Sequence, residues 1–277
     1  DCTIDLHDAV LTEIADFQDA TFTNNANFRG ATFNRDADFR RATFNRDADF
    51  GGATFNRANF WGATFNRDAD FGGATFNRVN FGGATFNRAD FGGATFTNNA
   101  NFWVATFTNN ADFRRATFNR DANFWRATFD RADFGGATFT NANFWRATFD
   151  RADFGGATFT NANFRGATFD RADFGVATFT SDADFGGATF DRADFGVATF
   201  TSDADFGGAT FDRADFRRAT FSRSAPPRGL PPGRVDEDGL PHGARWADAD
   251  DEGLEAGSPD DAPAEGTGPG SAGSAAS

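Results

Sequence analysis

Apolar positions in this chain recur every five or six residues. From Phe17 to Phe221 every Phe falls in one register, and Ala stands two residues before each of them, with Val79 as the single exception. The residue between Ala and Phe is polar. The 40 Phe, extended upstream by Ile4-Asp5-Leu6 and Ala9-Val10-Leu11, make 42 pentads. A period of five matches neither a helix at about 3.6 nor a strand at about 2. It matches a short extended segment, inward–outward–inward, followed by a corner. Ala and Phe then point into a core. Coils of such segments must stack, because only a neighbouring coil can satisfy their backbone groups.

A second period lies over the first. Counted from Phe17, even pentads read Ala-Thr-Phe and odd ones carry Asp or Asn before Phe. The step lengthens to six residues at ten places. Nine of the inserted residues are Asn25, Asp36, Asp47, Asp68, Asn99, Asn110, Asp121, Asp182 and Asp203, and the tenth is Ile14. Asp and Asn tolerate the left-handed backbone region and make local turn bonds, so these inserts are expected to be corner bulges.

The pattern Ala-(Asp/Asn/Thr)-Phe-x-x resembles the pentapeptide-repeat family from residue 4 to residue 223. The resemblance implies an all-β fold, a right-handed quadrilateral β-helix (solenoid) with four pentads per coil. The 42 pentads then give about ten coils and, at about 4.8 Å each, a rod about 50 Å long. With four pentads per coil, Asn59, Asn80, Asn101, Asn123, Asn143 and Asn163 stack on one wall. Asp49, Asp70, Asp90, Asp112, Asp133, Asp153, Asp173, Asp194 and Asp215 stack on the opposite one.

Charge divides the chain. Residues 1–14 hold four acids and no base, residues 15–223 hold 25 acids and 23 Arg, and residues 224–277 hold 11 acids and 3 Arg. The net charge of −14 therefore sits mostly outside the repeat. Residues 1–223 are read as the β-helix. Residues 224–277 are read as a disordered acidic tail rich in Pro, Gly and Ala, in which Leu230, Leu240, Trp246 and Leu254 are too isolated for a core. The stretch from Leu240 to Leu254 is a candidate for a short contact formed on binding. No apolar run reaches the roughly 18 residues of a membrane helix, so the expectation is a protein that is not inserted in a membrane and is cytoplasmic. All 26 basic residues are Arg, which with the Ala, Gly and Pro usage suggests a GC-rich bacterial source.

Several functions lose support at this level. One Cys and two His exclude a Cys/His zinc centre, and no cofactor motif is present. A near-neutral body lacks the basic stripe that nucleic-acid binding requires. Asp and Arg recur in every coil, as a scaffold needs and a unique active site does not. The reading is a non-enzymatic rigid scaffold for protein–protein interaction, its partner not named by the sequence.

Trp61, Trp103, Trp125 and Trp145 each follow a Phe of the Asn wall, next to Arg126 and Arg146. They read either as an interaction ridge or as packing over glycine corners. The Asp wall gives a second reading: some pentapeptide-repeat proteins protect DNA gyrase by imitating DNA with an acidic face. Arg131, Arg151, Arg171, Arg192 and Arg213, each two residues before an Asp of that wall, are expected to offset its charge. A third reading is ice or ordered-water binding by Thr138/Thr140, Thr158/Thr160, Thr178/Thr180 and Thr199/Thr201. Uncovered ends and the Trp ridge offer two routes to a homo-oligomer, end to end or side to side.

Overall fold

A computed structural model describes residues 3–247. The repeat folds as a quadrilateral parallel β-helix. Its rungs pair in parallel at a spacing of 20 to 22 residues, for example Thr138 with Thr158 and Val10 with Thr32. The spacing is four pentads. Even pentads form two Thr walls, and odd pentads form an Asp wall and an Asn wall across the core from one another.

Ala and Phe point inward, as the period predicts. Most of these Phe are 0–1 % exposed, and among the described residues the buried core holds no polar or charged one. Each ring stacks on the ring one coil away. Phe134 lies 4.8 Å from both Phe113 and Phe154, with interplanar angles of 12° and 3°. Against the adjacent wall the rings meet edge-on, as Phe129 and Phe134 do at 75°. Offset and edge-to-face contacts both satisfy the ring quadrupole, and four such columns leave no room for a ligand inside.

The corners after Asp and Asn walls are tight turns. The N–H of Ala31 donates to the carbonyl of Phe28 at 3.0 Å, and Gly30 between them has φ +66°. Left-handed backbone at this place favours glycine. The Asx side chain then caps the turn: Asn123 Oδ1 accepts the N–H of Trp125, and Asp173 Oδ1 accepts the N–H of Gly175. That bond explains why odd pentads carry Asp or Asn before Phe.

Corners after the Thr walls take two forms. At five of them, Thr32–Asp38, Thr54–Asn59, Thr64–Asp70, Thr75–Asn80 and Thr85–Asp90, the strand runs straight through. Later strands stop at three residues, as in Thr128–Asp130, and the next residue, Arg131, has φ +54°. The inserted residues follow expectation only in part. Register shifts do fall at Asp36 and Asp68. Among the nine Asp and Asn inserts, however, Asn110 is the one with positive φ. The left-handed positions are mainly glycines and arginines, the glycines at the tight turn after an Asx wall and Arg131, Arg151, Arg171, Arg192 and Arg213 at five-residue corners after a Thr wall, where nothing is inserted.

The C-terminal segment departs from the disorder expected of it. Residues 224–247 fold over the last coil. Arg245–Trp246 adds a parallel rung to Thr220–Phe221, so one wall carries twelve successive rungs where about ten coils were expected. The carbonyl of Arg228 accepts the N–H of Phe206, and Arg234 Nη2 donates to the carbonyl of Phe211. Leu240 is 2 % exposed, with Leu230, Ala244 and Trp246 packed against the same core. These residues need no core of their own, since they complete that of the last coil. The candidate contact from Leu240 to Leu254 thus begins as packed structure, and residues 248–277 lie outside the described range. At the opposite end Leu6, Leu11, Phe17 and Phe22 are only half-buried.

Candidate interaction surfaces

On the Asn wall, the side chains from Asn80 to Asn143 bond to one another from rung to rung. Asn101 Nδ2 donates to Asn80 Oδ1 at 3.0 Å, and Asn123 Nδ2 donates to Asn101 Oδ1 at 3.3 Å. The same oxygens accept the next corner's N–H, that of Gly82 and that of Trp103. A neutral amide can donate upward and accept sideways, whereas a carboxylate only accepts. An amide ladder therefore stacks without repulsion.

The Trp residues stand at the corner beside this ladder. Trp103 and Trp125 stack at 5.8 Å and 19°, and Trp125 and Trp145 at 5.4 Å and 10°. The guanidinium of Arg146 lies 4.9 Å over the Trp145 ring, a cation–π contact. The middle indole is sandwiched, and its Nε1 is buried with no hydrogen-bond partner. Trp61 is set apart from these three. Gly82 fills the intervening rung, and Trp61 leans over it, its Cδ1 3.4 Å from the place a Cβ would take. Trp61 thus covers a glycine corner while the other three form a ladder. Trp103 is 40 % exposed, and Val104 beside it, with φ +56°, is equally exposed.

Across the core, the nine Asp form one continuous column, paired rung to rung from Asp49 to Asp215. The expected Arg partners are elsewhere. Arg151 lies 2.8 Å from Asp150 and 3.8 Å from Asp130, and Arg192 lies 2.7 Å from Asp191 and 3.1 Å from Asp170. The left-handed turn directs these guanidinium groups along the corner, where each forks between two coils. The result is a ladder of Arg131, Arg151, Arg171, Arg192 and Arg213 with Asp130, Asp150, Asp170, Asp191 and Asp212. Hydrogen bonds from Arg151 and Arg192 hold Asp150 and Asp191 below the usual carboxylate range.

The Asp column is left partly uncompensated. Asp49 has Arg29 at 3.7 Å, Asp133 has Arg114 at 3.6 Å, Arg114 also pairs with Asp112, and Arg217 pairs with Asp215. Among the described residues, Asp70, Asp90, Asp153, Asp173 and Asp194 form no ion pair. Desolvation against the packed corner raises the pKa of Asp70, Asp133 and Asp173, and neighbouring carboxylates in the column add to it. The adjacent corner is floored by glycine in most coils, as at Gly155 and Gly156, but carries Arg114-Arg115 and Arg217-Arg218 after Asp112 and Asp215, and Val176 and Val197, 63 % and 44 % exposed, after Asp173 and Asp194. Sequence reasoning missed the Arg ladder and these two Val. A Phe-Asp-Arg triplet repeated over five coils was the available signal for the first.

The Thr array bonds internally. Thr160 and Thr180 share a hydrogen bond at 2.8 Å, and the hydroxyls of Thr180 and Thr201 donate to carbonyls of the preceding coil. Among the described residues no group of three His, Cys, Asp or Glu could hold a metal ion, and no helix is long and apolar enough to cross a membrane.

A stack of four-walled parallel coils with Phe and Ala inside is a pentapeptide β-helix. The family description pentapeptide repeats (9 copies) matches residues 3–43, 31–75, 60–106, 105–148 and 144–189, and a second, pentapeptide repeats (8 copies), matches 202–224. The chain belongs to the pentapeptide-repeat family. Comparison with curated proteins gives no match. Among solved structures it is similar to HetL, a pentapeptide repeat protein involved in heterocyst differentiation regulation from the cyanobacterium Nostoc. The two are 18 % identical over 83 % of this chain and 92 % of that one, with a TM-score of 0.32. It is also similar to full-length QnrB1, a plasmid-mediated fluoroquinolone resistance protein, 15 % identical over 87 % of this chain and 95 % of that one, with a TM-score of 0.40.

Proposed function

We propose that the chain is a non-enzymatic rigid scaffold that holds a protein partner on the Trp ridge. The observation behind this reading is the ladder Trp103–Trp125–Trp145 with Arg146 over its last ring. Stacked indoles, Trp103 exposed and Trp125 and Trp145 half-buried, beside guanidinium groups have the composition of an interface hot spot, and the solenoid holds them rigid before binding, so little ordering entropy is lost. The test replaces Trp103, Trp125 and Trp145 with Ser and compares partner capture with wild type. The expected result is an unchanged β circular dichroism spectrum and at least about tenfold weaker capture, a loss of about 1.4 kcal/mol or more. Equal capture would reduce the ladder to corner packing.

A second reading, a DNA-mimic protein acting on DNA gyrase or topoisomerase, gains from the absence of ion pairs at Asp153, Asp173 and Asp194. A supercoiling assay tests it: inhibition by wild type that disappears in Asp153→Asn/Asp173→Asn/Asp194→Asn supports it, and no inhibition removes it.

A further inference from the structure

The two decorated corners face opposite ways. In a coil of four walls the Asn and Asp walls lie across the core from each other, so their corners do too. One corner projects and is positive: the three stacked Trp stand beside Arg126 and Arg146, and no carboxylate interrupts the Asn column from Asn59 to Asn163. The other is negative and carries no indole. Asp153, Asp173 and Asp194 line a glycine-floored shelf whose apolar groups are Val176 and Val197. Each surface spans three successive coils. Both share one repeat, since the rings beneath them stack at 4.8 Å: Phe124 on Phe144, and Phe154 on Phe174.

We propose that the Trp ridge of one copy docks side to side on the Asp153–Asp194 shelf of a second copy. This rests on the ridge reading above and names its partner. Opposite charge sets the register and the orientation of approach. The indoles gain apolar contact from Val176 and Val197, which hold φ of 60° and 61° where the same corner carries Gly136 and Gly156. Backbone strain kept at exposed apolar positions accords with a binding surface. Because ridge and shelf differ and point away from each other, the contact is heterologous, and repeating it gives an open lateral array and not a closed dimer.

Sedimentation velocity on the full chain over a concentration series tests this. Wild type should grow beyond a dimer at low salt and dissociate at high salt. Arg126→Glu/Arg146→Glu and Asp153→Arg/Asp173→Arg should each associate at least about tenfold more weakly, with unchanged circular dichroism spectra. Mixed together, the two variants should associate again, since the native ridge of one meets the native shelf of the other and the two reversed surfaces are once more of opposite charge. A monomer at every concentration, a closed wild-type dimer, or variants that associate like wild type would overturn the proposal. The ridge reading is judged apart: if wild type stays monomeric while the Trp→Ser variant still loses partner capture, only the second-copy assignment falls.

Discussion

Val176 and Val197 occupy the same corner on successive coils, with φ of 60° and 61°, at a place where other coils carry glycine. A β-branched residue in the left-handed region is strained, by about 1–2 kcal/mol. Val176→Gly and Val197→Gly relieve that strain and give back about 0.5–1 kcal/mol of unfolded-chain entropy. Each change is therefore expected to stabilise the fold by up to about 1 kcal/mol. A thermal or urea melt reads this directly. Lower stability in both variants would show that the valines contribute packing that outweighs the strain. In the same proteins lateral association should weaken, so stability and association move in opposite directions.

Asp173 is a different kind of cost. Desolvation raises its pKa above 3.8, the N–H of Gly175 opposes this, and the carboxylates of Asp153 and Asp194 add to the rise. Between the unfolded and the folded value the native state binds more protons, so stability falls as pH rises through that window. Asp173→Asn keeps an oxygen for the Gly175 N–H and removes the charge. The variant should be more stable than wild type by about 0.5–1 kcal/mol at neutral pH, given roughly 0.8 kcal/mol per like-charge neighbour at about 5 Å in water. The gain should vanish near pH 3. Equal stability at neutral pH would mean that solvent already screens the column.

Asp19 behaves in the opposite sense. Hydrogen bonds from Arg41, then from Gln18, lower its pKa to about 2. Its contribution is present above the unfolded value of 3.8 and is lost as pH falls towards 2. Asp19→Asn should therefore destabilise at pH 7 and leave stability unchanged at pH 2. A constant difference at both values would assign the effect to something other than ionisation.

The cap gives a test in which length alone decides. Ending the chain after Ala247 keeps the rung Arg245–Trp246, the contact of Arg234 with the Phe211 carbonyl and buried Leu240. Ending it after Arg223 removes all of them and uncovers Phe211, Phe216 and Phe221 to solvent. The first truncation should melt with the full chain. The second should melt lower, with end-to-end association through its newly exposed backbone edge. Equal melting of the two would return residues 224–247 to the loose tail that their composition suggests.

The repeat was legible because one period determines which side chains face the core. Phe139 and Ala137 face inward wherever the pentad occurs, and no tertiary context overrides them. What lay hidden depends on direction within a corner. Arg151 is two residues from Asp153 in sequence, yet its left-handed φ of 53° sends the guanidinium to Asp150 and Asp130. Residue spacing cannot tell a left-handed corner from a straight one, so the charge pairing was misjudged. Composition likewise hid the cap, because Leu230, Leu240 and Trp246 have no large apolar neighbours in sequence and find theirs on the last coil. The Trp ladder was half legible: its three coils were visible, but the role of Trp61 in covering Gly82 required the side-chain direction.

Phe134 and Phe17 separate the interior of the rod from its end. Phe134 is 0 % exposed, between Phe113 and Phe154, while Phe17 is half-buried, with Phe39 stacked on one side at 4.8 Å. Removing an interior ring leaves a cavity that two rigid coils cannot close, so Phe134→Ala should cost about 3–5 kcal/mol. Phe17→Ala loses a ring that water already reaches and should cost about half as much, since both the transfer and the cavity contributions shrink. A solenoid transmits stability chiefly between adjacent repeats, so the interior variant should also lower cooperativity by splitting the rod into two blocks. Urea unfolding followed by circular dichroism measures both: the expected outcome is a lower midpoint for Phe134→Ala with a broadened transition, and a small shift with an unchanged slope for Phe17→Ala. Equal losses at the two positions would mean that the first coil is as tightly packed as the centre, and the half-buried state of Phe17 would then carry no energetic meaning.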